Sequence, residues 1–435
     1  MTCMDPLIYQ KVGTEKDKTY FLTSLTNRFD FVTDMFRKEL EIRYGGLFEP
    51  IYIYQNYPAP KYEKNNYIVV NGKLGNKKSF IVGEEYEDLN IYLSNSRQFS
   101  FLIDNILTNQ DKIFMVGFTN SFLNIDCDKI IYVGPKPKIA TYFDNKLEQL
   151  KLFQKIGVSH PQFRFYDDIN QLEKEKFPLY LTSCFSSGGI ESGLINNYHE
   201  AKKFVSTWRE YTKDKIIVTE LIDGAEYFPN SVAIVDKEKA VSLIVSDQIL
   251  SGNAYIGNIF PSKLSREVVS NIHKMTEKIG EHLRLQGYRG MFGCDFIVKG
   301  EEITVHDLNP RHQGGYLINN LQYIHNELVR AEISTSLDEV VLIERKKVTS
   351  AYFLAHIKVK LHDRKEHVLL SEVNINSENT PTTEIGKEYM TSFYKQGYKI
   401  QDTYPGYLIK SGNNYESLID EIKKDAERHL NELVD

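Results

Sequence analysis

Apolar residues fall into two rhythms along this chain. In the first third, short apolar runs at Tyr20–Leu25, Ile51–Tyr54, Ile68–Val70, Ile81–Val82, Ile113–Val116 and Ile130–Val133 alternate with helix-spaced segments. Phe31, Met35, Phe36 and Leu40 repeat at helical spacing over residues 29–44, and a second helix is expected over 99–107. Runs bounded by glycine, as at Ile113 and Ile130, suit buried parallel strands, so the pattern predicts an α/β architecture. Gly134-Pro135-Lys136-Pro137 breaks the rhythm, and one helix is predicted from Ile139 to Ile156, closed by Gly157. Strands are predicted at Pro178–Thr182, Ile216–Ile222, Ser231–Val235 and Val241–Val245. A helix over Ser265–Leu285 turns Val268, Ile272, Met275 and Ile279 inward, with Ser265 as N-cap. A hairpin follows, Met291–Val298 and Ile303–Leu308, and the chain closes on a helix from Glu416 to Leu433.

Composition changes this picture little. With 435 residues, 41% hydrophobic and 26% charged, the chain is long enough for two to four domains and is ordinary globular material. No apolar run reaches about 18 residues, so no membrane span is expected. The first residues carry no basic-then-apolar signal, and the expected location is cytoplasmic. Lys and Arg number 53 against 59 Asp and Glu, which argues against nucleic acid as a partner. Cys3, Cys127, Cys184 and Cys294 are scattered without a CxxC pair, which excludes a disulfide framework or zinc knuckle.

The hairpin carries the candidate chemistry. Its turn, Lys299–Glu302, sets a register in which Asp295 lies nearly opposite Asp307, with Asn309 on the diagonal. Two carboxylates that close repel unless a cation sits between them, and three oxygen donors on one face suit Mg²⁺. A solvated acidic rim is the competing reading, disfavoured because aspartate is rare within an apolar strand. Relief of that repulsion would make loss of one carboxylate neutral or mildly stabilising without metal. Alternation puts His306 on the opposite face, where packing is expected. Pro310 stops the strand and turns Arg311 towards the acidic face, where a guanidinium can hold a phosphate or an oxyanion. Other signatures fail: Gly72–Ser79 mimics a P-loop with too few residues between its glycines.

Asp295 followed by Asp307-Leu-Asn309-Pro-Arg311 resembles the metal-binding end of ATP-grasp enzymes. The other landmarks follow in that family's order. Phe143-Asp-Asn-Lys146 is similar to the entry into its nucleotide domain, Ser186-Ser187-Gly188-Gly189 to its glycine loop, and Val218–Ile222 with Gly224-Ala-Glu226 to its adenine hinge. The resemblance covers roughly residues 130–330. It implies an N-terminal Rossmann-like pre-ATP-grasp domain over 1–137 and a two-lobed α+β ATP-grasp domain over 138–345, divided near 215 and 216. A small C-terminal α+β lobe would occupy 346–435.

The resemblance also implies ATP and one or two Mg²⁺ as cofactors and an ADP-forming carboxylate–amine ligase acting through an acyl phosphate. It is closest to the peptide and amino-acid ligases of natural-product pathways. Asp295, Asp307 and Asn309 would hold metal, and Arg311 would stabilise the transferring phosphoryl group. Lys146, Thr182 and Ser186–Gly189 would meet ATP phosphates, the last as a lid. Thr219, Glu220, Leu221, Ile222 and Glu226 would hold adenosine. Two positions depart from the pattern: Thr182 stands where a second lysine is usual, which implies a weaker ATP site, and Gly293 stands where an arginine is frequent. The expected partners are small-molecule carboxylates and amines, amino acids among them, with a homodimer as the assembly. A carrier-protein thiol as acceptor, and a nucleotide-binding protein without ligase activity, remain the alternatives.

Overall fold

A computed structural model gives the fold. It describes residues 7–12, 15, 17–25, 30–55, 66–71, 85–186, 191–209, 214–251, 254–323, 326–345, 353–359 and 406–432. The strand expected at Ile81–Val82 and the loop residues Ser187, Gly188 and Gly189 lie outside these, as does most of the expected C-terminal lobe.

The first sheet contains β1 (Leu7–Lys11), β2 (Lys18–Thr23), β3 (Leu47–Gln55), β4 (Tyr67–Asn71), β5 (Ile113–Val116) and β6 (Ile130–Val133), in the spatial order β1-β4-β3-β2-β5-β6. All pairings are parallel except β1 against β4. β5 is buried along its whole length, which is why it reads as a continuous apolar run. Helices α1 (Asp30–Tyr44), α2 (Glu85–Ser94) and α3 (Arg97–Leu107) accompany this sheet. The strand order reverses between β2 and β5, so a crevice opens beyond their carboxyl ends, where Gly117–Ser121 emerge.

The predicted helix over 139–156 is two helices. α4 (Pro137–Asp144) stops at Asn145, which adopts an extended conformation and caps α5 (Lys146–Ile156) by accepting from Leu147 N at 3.0 Å and Glu148 N at 3.3 Å. An Asx cap competes with helical continuation, a conflict that apolar periodicity does not register. Gly157 ends α5 in the left-handed region at φ 62°, as its sequence position predicts.

A four-stranded antiparallel sheet follows, ordered β7 (Phe163–Tyr166), β10 (Ile216–Thr219), β8 (Leu179–Thr182), β9 (Ser192–Ile195), and α6 (Tyr198–Arg209) packs on it. β10 ends at Thr219, three residues before the predicted end. The largest sheet is antiparallel throughout and ordered β15-β14-β11-β12-β13-β16-β17. Its members are β11 (Pro229–Val235), β12 (Ala240–Ser251), β13 (Ala254–Phe260), β14 (Gly290–Lys299), β15 (Glu302–Asn309), β16 (Phe353–Val359) and β17 (Gly406–Gly412). α7 (Arg266–Leu285) covers one face with Val268, Ile272, Ile279 and Leu283, and Ser265 caps it through Val268 N at 3.3 Å. α8 (Gly315–Gln322) and α9 (Glu327–Ser336) follow the hairpin β14–β15, and α9 joins α1 through Arg330 and Glu39, 2.9 Å apart. β16 and β17 continue this sheet, and the final helix, Tyr415–Glu432, packs Leu418 and Ile422 into its core. Among the described residues no helix is long and apolar enough to cross a membrane.

Replacing Asn145 with alanine removes both cap bonds at the start of α5. The expected cost is about 1 kcal/mol, measurable by chemical denaturation. The loss of order should concentrate in hydrogen exchange at Lys146–Glu148.

Candidate functional site

The hairpin pairs as its turn predicts. Asp295 and Asp307 are direct cross-strand partners and Gly293 faces Asn309. A bulge between Asp295 and Phe296 inserts His306 into β15 as an extra residue. The insertion takes His306 out of simple alternation: it is exposed, not packed as the sequence predicts.

The two aspartates have different surroundings. Asp295 accepts only from neutral amides: Asn230 Nδ2, Gln248 Nε2 at 2.9 Å and Asn309 Nδ2 at 3.1 Å. Burial, and then the charge of Asp307, push its carboxyl above the usual range. Asp307 instead faces Lys146, whose Nζ lies 2.6 Å from its Oδ1. Burial works against the charged form of Asp307, but Lys146 outweighs it and holds the carboxyl below its ordinary value. Loss of Asp307 would therefore strand a cation, so the relief of repulsion expected from sequence does not carry over to this residue.

The broken helix makes that contact. Lys146 is the first residue of α5, and its N–H donates to Cys184 O at 2.8 Å, at the base of the Ser/Gly loop. That base is closed by Thr182 Oγ1 and Ser186 Oγ, 2.7 Å apart, and by Ser183 Oγ donating to Glu191 at 2.6 Å. Thr182 is buried. Asp144, the last residue of α4, has its carboxyl pushed up by burial, partly offset by the charges of Arg311 and Lys146.

Arg311 lies 5.2 Å over the Phe118 ring, and its Nη1 donates to His312 O at 3.3 Å. His312 locks this loop onto the reversal crevice: its N–H donates to Phe118 O at 3.1 Å, and Nδ1 lies 2.9 Å from Gly117 O. A carbonyl only accepts, so Nδ1 carries the proton. Nε2 then meets Glu332 at 2.7 Å, and Tyr316 Oη donates to the other oxygen of that buried carboxylate at 2.5 Å. Gln313 reaches back over β14, bonding Asn230 and Ser231 O. A Cβ on Gly293 would fall 1.5 Å from Gln313 Nε2, so the absent arginine side chain is replaced by space that Gln313 fills.

The segment 219–226 leads from the four-stranded sheet to this hairpin, which it meets at Asp223 and Glu226. Thr219 is half-buried, and Glu220 bonds Gln162 in both directions. Leu221 is exposed and Ile222 half-buried. Exposed Glu226 is tied through its N–H to Val298 O at 3.0 Å. Thus Lys146, Asp295, Asp307 and Asn309 come together directly, with Arg311 close enough for its charge to act on Asp307 and Asp144. Two carboxylates and an amide make a hard oxygen donor set that fits a magnesium-sized cation. They fall short of three His, Cys, Asp or Glu, and no such trio is grouped as a metal site among the described residues. The sequence reading missed Asn230, Gln248, His312 and Glu332. Asn230 and Gln248 are polar residues inside apolar strands, the same signal that singled out Asp295; His312 and Glu332 meet only through the fold.

Asp307→Asn should destabilise the metal-free protein by about 1–3 kcal/mol, because it takes its hydrogen-bonded carboxylate from the half-buried Lys146 and leaves only the charge of Asp144 near it. Asp307 is depressed, so its contribution is full above the unfolded carboxylate range and is lost only as pH falls through its lower folded value. Melts in chelator should therefore show the loss at pH 8 and still show it at pH 5. Glu332→Gln removes the charge facing His312 and should loosen the Arg311 loop, read as faster hydrogen exchange at Arg311–Gln313.

The sequence profile of the ATP-grasp domain matches residues 143–315. The L-propargylglycine–L-glutamate ligase of Streptantibioticus cattleyicolor is 31% identical over 111 residues, 24% of this chain and 23% of that protein. The formate-dependent phosphoribosylglycinamide formyltransferase of Prochlorococcus marinus is 24% identical over 175 residues, 39% of this chain and 44% of that one. The chain spans about half the length, or less, of the curated relatives it matches, as with an uncharacterised Methanocaldococcus jannaschii protein covered over 51%. Biotin carboxylase from Campylobacter jejuni superposes with a TM-score of 0.70 at 14% identity over 95% of both chains. N5-carboxyaminoimidazole ribonucleotide synthetase from Thermotoga maritima gives 0.57 at 12% identity, over 95% of this chain and 98% of that one. These likenesses are of fold, and with the profile match they establish that the chain carries an ATP-grasp domain over residues 143–315.

Proposed function

We propose that the protein is an ATP-dependent carboxylate–amine ligase that forms an amide and releases ADP and phosphate. The observation that carries this reading is the meeting of Asp295, Asp307 and Asn309 on one hairpin face with Lys146 beside them. It is supported by the ligase and by the ATP-complexed carboxylase among the similar proteins.

Asp295, Asp307 and Asn309 would hold Mg²⁺, which when bound neutralises phosphate charge and orients the phosphate oxygens. Lys146 meets the nucleotide phosphates, with Thr182 and Ser186 beside it at the base of the loop. The exposed apolar Leu221, with Thr219, Glu220 and Ile222, offers an edge for the adenine, and Glu226 a carboxylate for the ribose. A substrate carboxylate oxygen attacks the γ-phosphorus, and ADP leaves with the electrons of the broken bond. The amine nitrogen then attacks the acyl carbon, phosphate departs, and the amine proton passes to solvent. Arg311, held by Phe118 and His312, faces the charge that develops in both steps. The substrates are small carboxylic acids and amines, with amino acids the first to try, and a biosynthetic role in natural products fits that substrate class.

The direct test is ADP release with Mg·ATP over amino acids singly and in pairs. Release that depends on both an acid and an amine, with amide detected by mass spectrometry, is expected; ADP formation indifferent to every added acid would overturn the reading. Arg311→Ala should lower kcat by about 10²–10³ while leaving ATP affinity near wild type. Thr182→Lys adds a charge where the buried hydroxyl now bonds Ser186 and should tighten ATP about tenfold. Calorimetry showing no change would mean that this strand end does not face nucleotide.

A further inference from the structure

Lys146 Nζ and Asp307 Oδ1 are 2.6 Å apart, with only 19% and 20% of the side chains exposed. Asp295, the other half of the acidic pair, is met by three neutral amides. The charge facing the two carboxylates therefore comes largely from a residue that also stands at the base of the Ser/Gly loop, through its N–H bond to Cys184 O.

We propose that Lys146 is the resident counter-ion of the metal site: it occupies Asp307 until a divalent cation arrives with nucleotide, then exchanges Asp307 for phosphate oxygens. The inference rests on the reading of Asp295 and Asp307 as metal ligands.

A divalent cation arriving alone must break the Lys146–Asp307 pair and leave a sequestered ammonium with only Asp144, itself disfavoured as an anion by burial, to act on it, which opposes binding. A cation arriving with nucleotide brings anionic oxygens of its own, and the ammonium has somewhere to go. The exchange needs little backbone movement. Asn145 caps α5 and Cys184 O holds the Lys146 N–H, so only the flexible side chain must swing. The device couples the two ligands: nucleotide raises metal affinity beyond what its own phosphates supply, and metal raises nucleotide affinity by the same factor. It also offsets part of the repulsion between two adjacent carboxylates while the site waits.

The test is a titration with Mn²⁺ alone, read as free ion by electron paramagnetic resonance, on wild type, Lys146→Met and Lys146→Arg. The methionine variant should bind Mn²⁺ about tenfold more tightly than wild type, and the arginine variant about as wild type does. Equal or weaker binding by the methionine variant overturns the proposal. A second measurement needs no variant: acylation of Lys146 in wild type, followed by mass spectrometry, should rise with saturating Mn²⁺ alone and fall with Mn²⁺ plus a non-hydrolysable ATP analogue. No rise with Mn²⁺ alone overturns the exchange. Absence of Mn²⁺ binding to all three proteins, with and without nucleotide, overturns the metal reading itself and the exchange with it.

Discussion

Two carboxylates held side by side across a hairpin are the constraint around which the rest of the site is arranged. Asp295 and Asp307 are fixed by strand pairing, so neither can retreat from the other. The fold answers with two different environments. Three amides from β11, β12 and β15 surround Asp295, while one ammonium from α5 meets Asp307. The asymmetry leaves one carboxyl above its ordinary range and the other below it. A cation that takes both would replace two unlike arrangements with one.

The parallel sheet contributes at a distance. Its strand order reverses at β2 and β5, and the residues leaving β5 receive His312 through two carbonyls, Gly117 and Phe118. Arg311 is positioned by that docking, since Phe118 supplies the ring beneath its guanidinium and His312 the carbonyl at its Nη1. Glu332 and Tyr316 complete the lock from α9 and α8. The candidate phosphoryl-stabilising residue thus depends on packing between the first sheet and the helices that follow the hairpin.

The two departures from the ATP-grasp pattern acquire physical accounts. At Thr182 a hydroxyl turns inward to Ser186 and closes the loop base, a task that a lysine could not perform while pointing at phosphate. At Gly293 the missing side chain is space occupied by Gln313, which braces Asn230 beneath Asp295. Both positions carry neutral hydrogen bonds where the resemblance would place a charge. Lys146 and Arg311 are left as the candidate cations of the cleft.

Strand runs at Ile113 and Ile130, the α7 face with its Ser265 cap, and the Asp295–Asp307 register were all legible in the sequence. Each follows from a local rule: buried strands read as apolar runs, amphipathic helices repeat every three to four residues, and a short turn fixes which residues oppose. The break at Asn145, the bulge at His306, the Lys146–Asp307 pair and the His312–Glu332 lock were not. A cap wins by about a kilocalorie and a bulge shifts the pairing by a single residue, and apolar periodicity registers neither. The last two contacts join residues 161 and 20 positions apart in the chain, and spacing along a sequence carries no information about such contacts. The sequence by itself determined which residue types could do the chemistry; tertiary packing alone decided which charge faces which.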